Sequence, residues 1–219
     1  MKIMKSVLIG NNEEKIFVYK LTSDDGGAPC VYNNKLSLCI CKPRIRKYAK
    51  KNDWIIGFGG RNVYDLSNGL IYIAQVTEKL SAGDYFKKTE YADRPDCIYK
   101  WKEPDRIFEF KKRAIFHNED CLEHDLGEYP NYNRAFSLLS DKFVYLGKTP
   151  VDRYKPLFDK IKPIYKSLPR DFKSNFSLEE NKSLNEFIKG IIECFGFGKK
   201  GEPTHTDTTK KCNTCEGHA

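Results

Sequence analysis

The chain has 219 residues, among them eight Cys, with 38 Lys and Arg against 30 Asp and Glu and a formal charge of +8; that length suits one core of about 150 residues with appendages. No apolar run approaches the ~20 residues of a membrane helix and Met1 to Gly10 does not read as a secretory leader, so no membrane partner is expected and the cysteines read as reduced thiols of a soluble cytoplasmic protein. The basic excess favours a polyanionic partner without demanding one.

Ile16 to Leu21 is apolar and aromatic and reads as a strand. The Ser23-Asp24-Asp25-Gly26-Gly27 cluster closes it, because Gly accepts positive φ and Asp bonds its own backbone. Leu36 to Cys41 reads as a second strand, with Cys39 and Cys41 on one face as small packing residues. Lys42 to Lys51 follows as a short helix: Pro43 fits its first turn and Ile45 and Ala49 share a face. Arg44, Arg46, Lys47, Lys50 and Lys51 cover its other faces.

Asp53 to Gly60 and Leu70 to Leu80 are β-branched, aromatic and nearly apolar throughout, separated by a polar Gly/Asn segment. They read as two buried neighbouring strands at the centre of a small barrel. Ser81-Ala82-Gly83-Asp84 resembles an N-cap and predicts a short helix from Ser81 to about Lys88. Thr89 to Pro130 mixes charges with Tyr91, Tyr99, Trp101 and Phe116 without a period, and reads as a long insertion with little regular structure.

Arg134 to Gly147 returns to strand character, bent at Ser140-Asp141. Beyond Pro150 the pattern is helical, with a Ser177-to-Glu180 capping box and Leu184, Phe187, Ile188, Ile191 and Ile192 at helical spacing up to Gly196. Strands early and helices late give an α+β class. The expected organisation is a main domain over residues 1–150, a C-terminal helical extension over 151–198 and a disordered tail over 199–219.

Three segments, in order, resemble the nucleotide modification associated domain 2 family. They are Cys41-Lys42-Pro43-Arg44-Ile45-Arg46 through Ala49 to Asp53-Trp54-Ile55-Ile56-Gly57-Phe58-Gly59-Gly60; Ile71 to Leu80 with Tyr85-Phe86; and Leu138 to Gly147. Asn52 stands where the family has Gly, and keeps the turn because Asn tolerates the left-handed backbone. Gly59-Gly60-Arg61 replaces a small and then hydroxylated pair. The resemblance implies a PUA-like barrel of the EVE, ASCH and YTH kind, flanked by short helices, that travels with systems making, sensing or restricting modified nucleotides.

What it implies for function is a nucleic-acid or nucleotide binding module that reads a modified base in DNA or RNA, without a catalytic residue or cofactor, beside protein partners of a modification or restriction system. Lys42, Arg44, Arg46 and Arg61 are then the phosphate contacts, although a charge run on a helix is equally a solvated face. Trp54, Phe58, Gln75, Tyr85 and Trp101 are the candidates around the base, where stacking on an aromatic is worth about 1–3 kcal/mol. Trp54 also has the place of a core residue, and Trp101 that of a loop aromatic plugged onto the core.

Two further functions stay open. His117, Asn118, Asp120, His124 and Asp125 are the one cluster of catalytic residue types, so a nucleotide-modifying or nucleotide-hydrolysing enzyme would draw on His117, Asp120 and His124, imidazole as base and carboxylate as orienter. A scaffold subunit would instead dock a partner on the helix from Leu178 to Phe195. Cys212 and Cys215, with His205 and His218, carry half of a zinc spacing within the expected tail, an alternative metal site.

Overall fold

The computed structural model describes residues 14–60, 69–111 and 116–205. In chain order the strands and helices are β1 (Ile16–Leu21), β2 (Cys30–Tyr32), β3 (Lys35–Leu38), α1 (Pro43–Tyr48), β4 (Trp54–Gly59), β5 (Leu70–Gln75), β6 (Glu78–Leu80) and α2 (Asp84–Lys87). The insertion and the second half add β7 (Tyr99–Lys102), β8 (Ile107–Phe110), α3 (Leu122–Leu126), β9 (Ser137–Ser140), β10 (Lys142–Tyr145), α4 (Lys155–Lys166), β11 (Phe172–Lys173), α5 (Leu178–Phe195) and β12 (Gly198–Lys199).

The class is α+β, but the described strands do not close into a barrel. They form a six-stranded sheet in the order β11-β1-β4-β5-β10-β12, a four-stranded sheet in the order β2-β3-β9-β6, and the β7-β8 ribbon. β4 and β5 pair antiparallel at the centre, with Ile56 opposite Ile73, while β1 runs parallel to β4 with Val18 opposite Ile56. β4 and β5 read as nearly unbroken apolar runs because both faces of the large sheet are covered.

On one face Ile16, Val18, Trp54, Ile56, Phe58, Ile73 and Val144 pack under α4 and α5, against Phe158, Ile161, Leu184, Phe187, Ile188 and Ile191. On the other, Phe17, Tyr19, Ile55, Ile71 and Phe143 meet Leu36, Leu38 and Leu138 of the second sheet and Ile45 of α1. A sheet sandwiched between helices and another sheet buries its apolar faces without the curvature that barrel closure needs. Residues 151–198 thus share the core of the main sheet, and β11 and β12 extend it on either edge.

Several local expectations change for physical reasons. The run from Leu70 to Leu80 splits: β5 stays in the large sheet and β6 pairs with β9 in the small one. The bend at Ser140-Asp141 makes the matching crossing, separating β9 from β10. α2 begins only at Asp84, with Gly83 as its N-cap at φ 72 and no side-chain cap. A side chain at Gly83 would strike the Phe108 ring, so the insertion ribbon docks there. The Ser177 capping box is present, its hydroxyl accepting from Glu180 N while the Glu180 carboxylate accepts from Ser177 N.

The insertion, expected to be irregular, carries the β7-β8 ribbon and α3 and builds a third core around Tyr85, Phe86, Tyr99, Phe108, Phe116 and Leu139. Buried Asp96 pins it to β3: its carboxylate accepts from the Ser37 hydroxyl, from Tyr85 OH at 2.7 Å and from Cys39 Sγ at 3.0 Å, with Arg94 Nε at 3.5 Å. No helix among the described residues is long and apolar enough to cross a membrane.

Candidate active site

β3 ends at Leu38, three residues before the chain turns out of the sheet at Cys41. Cys41 therefore is not a strand packing residue as expected. Its φ of 55° and the 41° of Lys42 put two consecutive non-glycine residues in the left-handed region, a conformation costing of order 1–3 kcal/mol per residue that concentrates at functional sites. The turn aims the half-buried Cys41 thiol at the insertion, where Sγ lies 3.2 Å from His117 Nε2.

The other ring nitrogen, His117 Nδ1, is 2.8 Å from Asp125 Oδ2. That carboxylate is fully buried on α3. It accepts from Tyr99 OH at 2.8 Å on Oδ2 and from the Cys41 backbone N–H at 2.7 Å on Oδ1. Burial alone would raise the Asp125 carboxyl, but the hydrogen bond and charge of His117, followed by Arg46 and Tyr99, hold it below the usual carboxylate range. An ionised carboxylate on Nδ1 fixes the tautomer that turns the Nε2 lone pair to the thiol.

Arg46 locks this arrangement from within. Its side chain is fully buried, and Nε donates to Cys41 O at 2.6 Å, Nη1 to Arg134 O at 2.9 Å and Phe136 O at 2.6 Å, and Nη2 to Asp125 O at 2.8 Å. A rigid planar fork with five donors can satisfy carbonyls from three segments at once. The guanidinium lies 3.8 Å from Asp125 Oδ1, so its charge is not left unpaired.

Cys41 and His117 face a solvent-open cleft lined also by Leu21, Thr22, Ser23, Asp25, Ala28 and Lys42, with water-sized room of about 30 Å³. Gly27 lets the wall close: a Cβ there would sit 2.6 Å from Phe116 Cγ, next to His117. The wall is tied from the far end of the chain. Asp24 O accepts from His205 N at 2.8 Å, its N–H donates to His205 Nδ1 at 3.0 Å, and its carboxylate accepts from Thr204 and from Tyr145 OH. Residues 199–205 are thus bound structure and not a loose tail.

The Cys41, His117 and Asp125 donor atoms lie within 4.8 Å of one another, close enough to consider a metal. Both Asp125 oxygens are occupied by short hydrogen bonds, which leaves a cation two donors, Cys41 Sγ and His117 Nε2. A structural zinc takes four. The donor set fits a hydrogen-bonded nucleophile, base and orienter.

The family model described as nucleotide modification associated domain 2 matches residues 13–210. The chain belongs to the nucleotide modification associated domain 2 family. That match spans the sheets, the insertion and α5 together, so the segments resembling the family are parts of one unit. No curated protein and no solved structure matches the chain.

In this family member the residues expected around a base fall mostly elsewhere. Trp54 and Phe58 are buried under α4 and α5, Phe58 against Phe158, Tyr165 and Phe187, because their side of β4 is the helix-covered one. Tyr85 is buried on Asp96. Gln75 Nε2 donates to Asn52 O, and Trp101 packs edge-on to Phe108 at 4.8 Å with Lys87 Nζ 4.7 Å from its ring centroid.

Of the expected phosphate contacts, Lys42 lines the cleft and Arg44 is exposed, 2.7 Å from Asp171. Arg46 faces inward, which corrects its assignment to a solvated or phosphate-binding face. Of the alternative catalytic set, His117 is in the site, Asp120 accepts from Asn118 on the surface, and His124 points elsewhere on α3, its imidazole lowered by burial. Arg61, Cys212, Cys215 and His218 lie outside the described residues. No local pattern in the sequence reports the Cys41–His117 contact, although the family-like Cys-Lys-Pro begins on Cys41.

Proposed function

We propose that the protein is an enzyme of nucleotide modification in which Cys41 is the nucleophile, His117 the base that takes its proton and Asp125 the group that positions the imidazole. One observation carries this: Sγ to Nε2 at 3.2 Å and Nδ1 to Oδ2 at 2.8 Å, in a cleft open to solvent. A base within hydrogen-bond reach, itself oriented by a third group, is how a thiol is activated near neutral pH. Membership of the family supports a nucleotide, or a nucleic acid carrying a modified base, as the molecule acted on.

The binding role implied by the resemblance combines with this one. The chain leaves the cleft at Lys42 through α1, with Arg44 and Lys47, and then Lys50 and Lys51 just beyond it, exposed, a basic surface suited to a phosphate backbone beside the reacting group. The test is alkylation by iodoacetamide at neutral pH, followed by peptide mass spectrometry. Cys41 should react faster than the exposed Cys194, and His117→Ala should slow it at least tenfold. Equal rates in the two proteins would remove the base and with it the enzyme.

A further inference from the structure

We infer, resting on the proposed thiol nucleophile, that the group Cys41 attacks is a carbonyl, and that the reaction is acyl transfer through a thioester on Sγ. Four features of the site separate this from the other chemistries open to a cysteine. Cys39, two residues away, is committed to Asp96, with Sγ 3.0 Å from Oδ2, and burial holds its thiol protonated. A vicinal redox pair is therefore not assembled. Among the described lining residues, besides the imidazole, the cleft offers one cation, Lys42, against one carboxylate, Asp25, a poor cradle for a phosphoryl dianion.

The cleft beside Sγ admits water-sized groups over about 30 Å³ and opens to solvent. A planar carbonyl substituent can reach the sulfur there while the rest of its molecule extends toward solvent. Finally, His117 Nε2 stands beside the sulfur, so a proton taken from the thiol is held next to the atom that must leave. That service matters when the leaving group is an amine or alkoxide, which departs poorly as an anion.

The steps balance without a further reagent. His117 Nε2 takes the Cys41 proton, the sulfur attacks the carbonyl carbon, the C–S bond forms, and the C–N or C–O bond breaks as His117 returns the proton to the leaving amine or alcohol. Water or an acceptor amine then attacks the thioester, giving its proton to Nε2; the C–S bond breaks, and Sγ regains the proton. The substrate class is a nucleotide bearing an amide- or ester-linked substituent, or an acyl donor and a nucleotide amine in the reverse sense.

The experiment uses the full chain with p-nitrophenyl acetate and an acetylated nucleobase amine, quenched in acid for intact-mass analysis. An acetyl group on Cys41, absent in Cys41→Ala, followed by steady turnover that falls at least tenfold in Asp125→Asn, is the expected result. The turnover requirement excludes a merely reactive thiol, which would acylate once and stall. Iodoacetamide reactivity that depends on His117, with no acetyl adduct or no turnover, would overturn acyl transfer while leaving the nucleophile in place. A stable Cys41 adduct with a 5-fluoropyrimidine nucleotide and no acyl turnover would overturn it in favour of ring addition. Reactivity indifferent to His117 removes the nucleophile itself.

Discussion

Asp125 illustrates how one buried side chain serves both stability and chemistry. Because its carboxyl is held below the usual 3.8 in the folded protein, the unfolded chain binds the extra proton. The contribution is therefore complete above about pH 4 and is lost as pH falls through the lower folded value. Asp125→Asn keeps the shape but removes the anion, and its amide donates to Nδ1, which turns an N–H toward the thiol. Alkylation of Cys41 should fall by roughly 10²- to 10⁴-fold, while an acid-unfolding titration should show a smaller loss of stability below pH 4 than in the native protein. An unchanged acid midpoint would show that the carboxylate is not the group being titrated.

Between elements, the two arms of the site meet through α1. Arg46 joins the Cys41 turn to α3 and to the chain entering β9, so Arg46→Met should take a donor from four carbonyls, of which Arg134 O keeps the Phe136 N–H, at about 1–3 kcal/mol for each one left buried and unpaired. The measurement is a denaturation midpoint alongside Cys41 alkylation, and both should fall. Phe58→Ala separates core from ligand contact: it should cost about 3–5 kcal/mol of stability with unchanged oligonucleotide retention. Retention lost at full stability would return Phe58 to a binding surface.

These elements also show what could be read from the chain. Ile16 to Leu21, the β4-β5 centre and the α5 cap were legible because apolar period, turn residues and capping spacing are local properties. The barrel was not, since the same apolar runs serve a sheet covered on both faces. Arg46 and Cys41 were misread for one reason. A side chain's burial depends on an insertion some 80 residues away, Asp125 for both of them, and no local pattern reports that contact.

On the scale of the molecule, the helical half is part of the fold and not an accessory. Leu184, Phe187, Ile188 and Ile191 of α5 are buried on the main sheet. At roughly 1.5–3 kcal/mol for each buried side chain they rival the ~5–15 kcal/mol that typically separates folded from unfolded states. Ending the chain at Pro169 should therefore abolish cooperative unfolding in calorimetry; a monodisperse, cooperatively melting fragment would instead free α5 to dock a partner.

The tie between Asp24 and His205 spans 181 positions. It orders the events of biosynthesis. A ribosome that has delivered residues 14–147 has made Cys41, His117 and Asp125, yet the wall beside them waits for residues 203–205 to emerge and dock on Asp24. Long-range closures of this kind come late in folding. The cleft wall is thereby finished only when the last described residues dock.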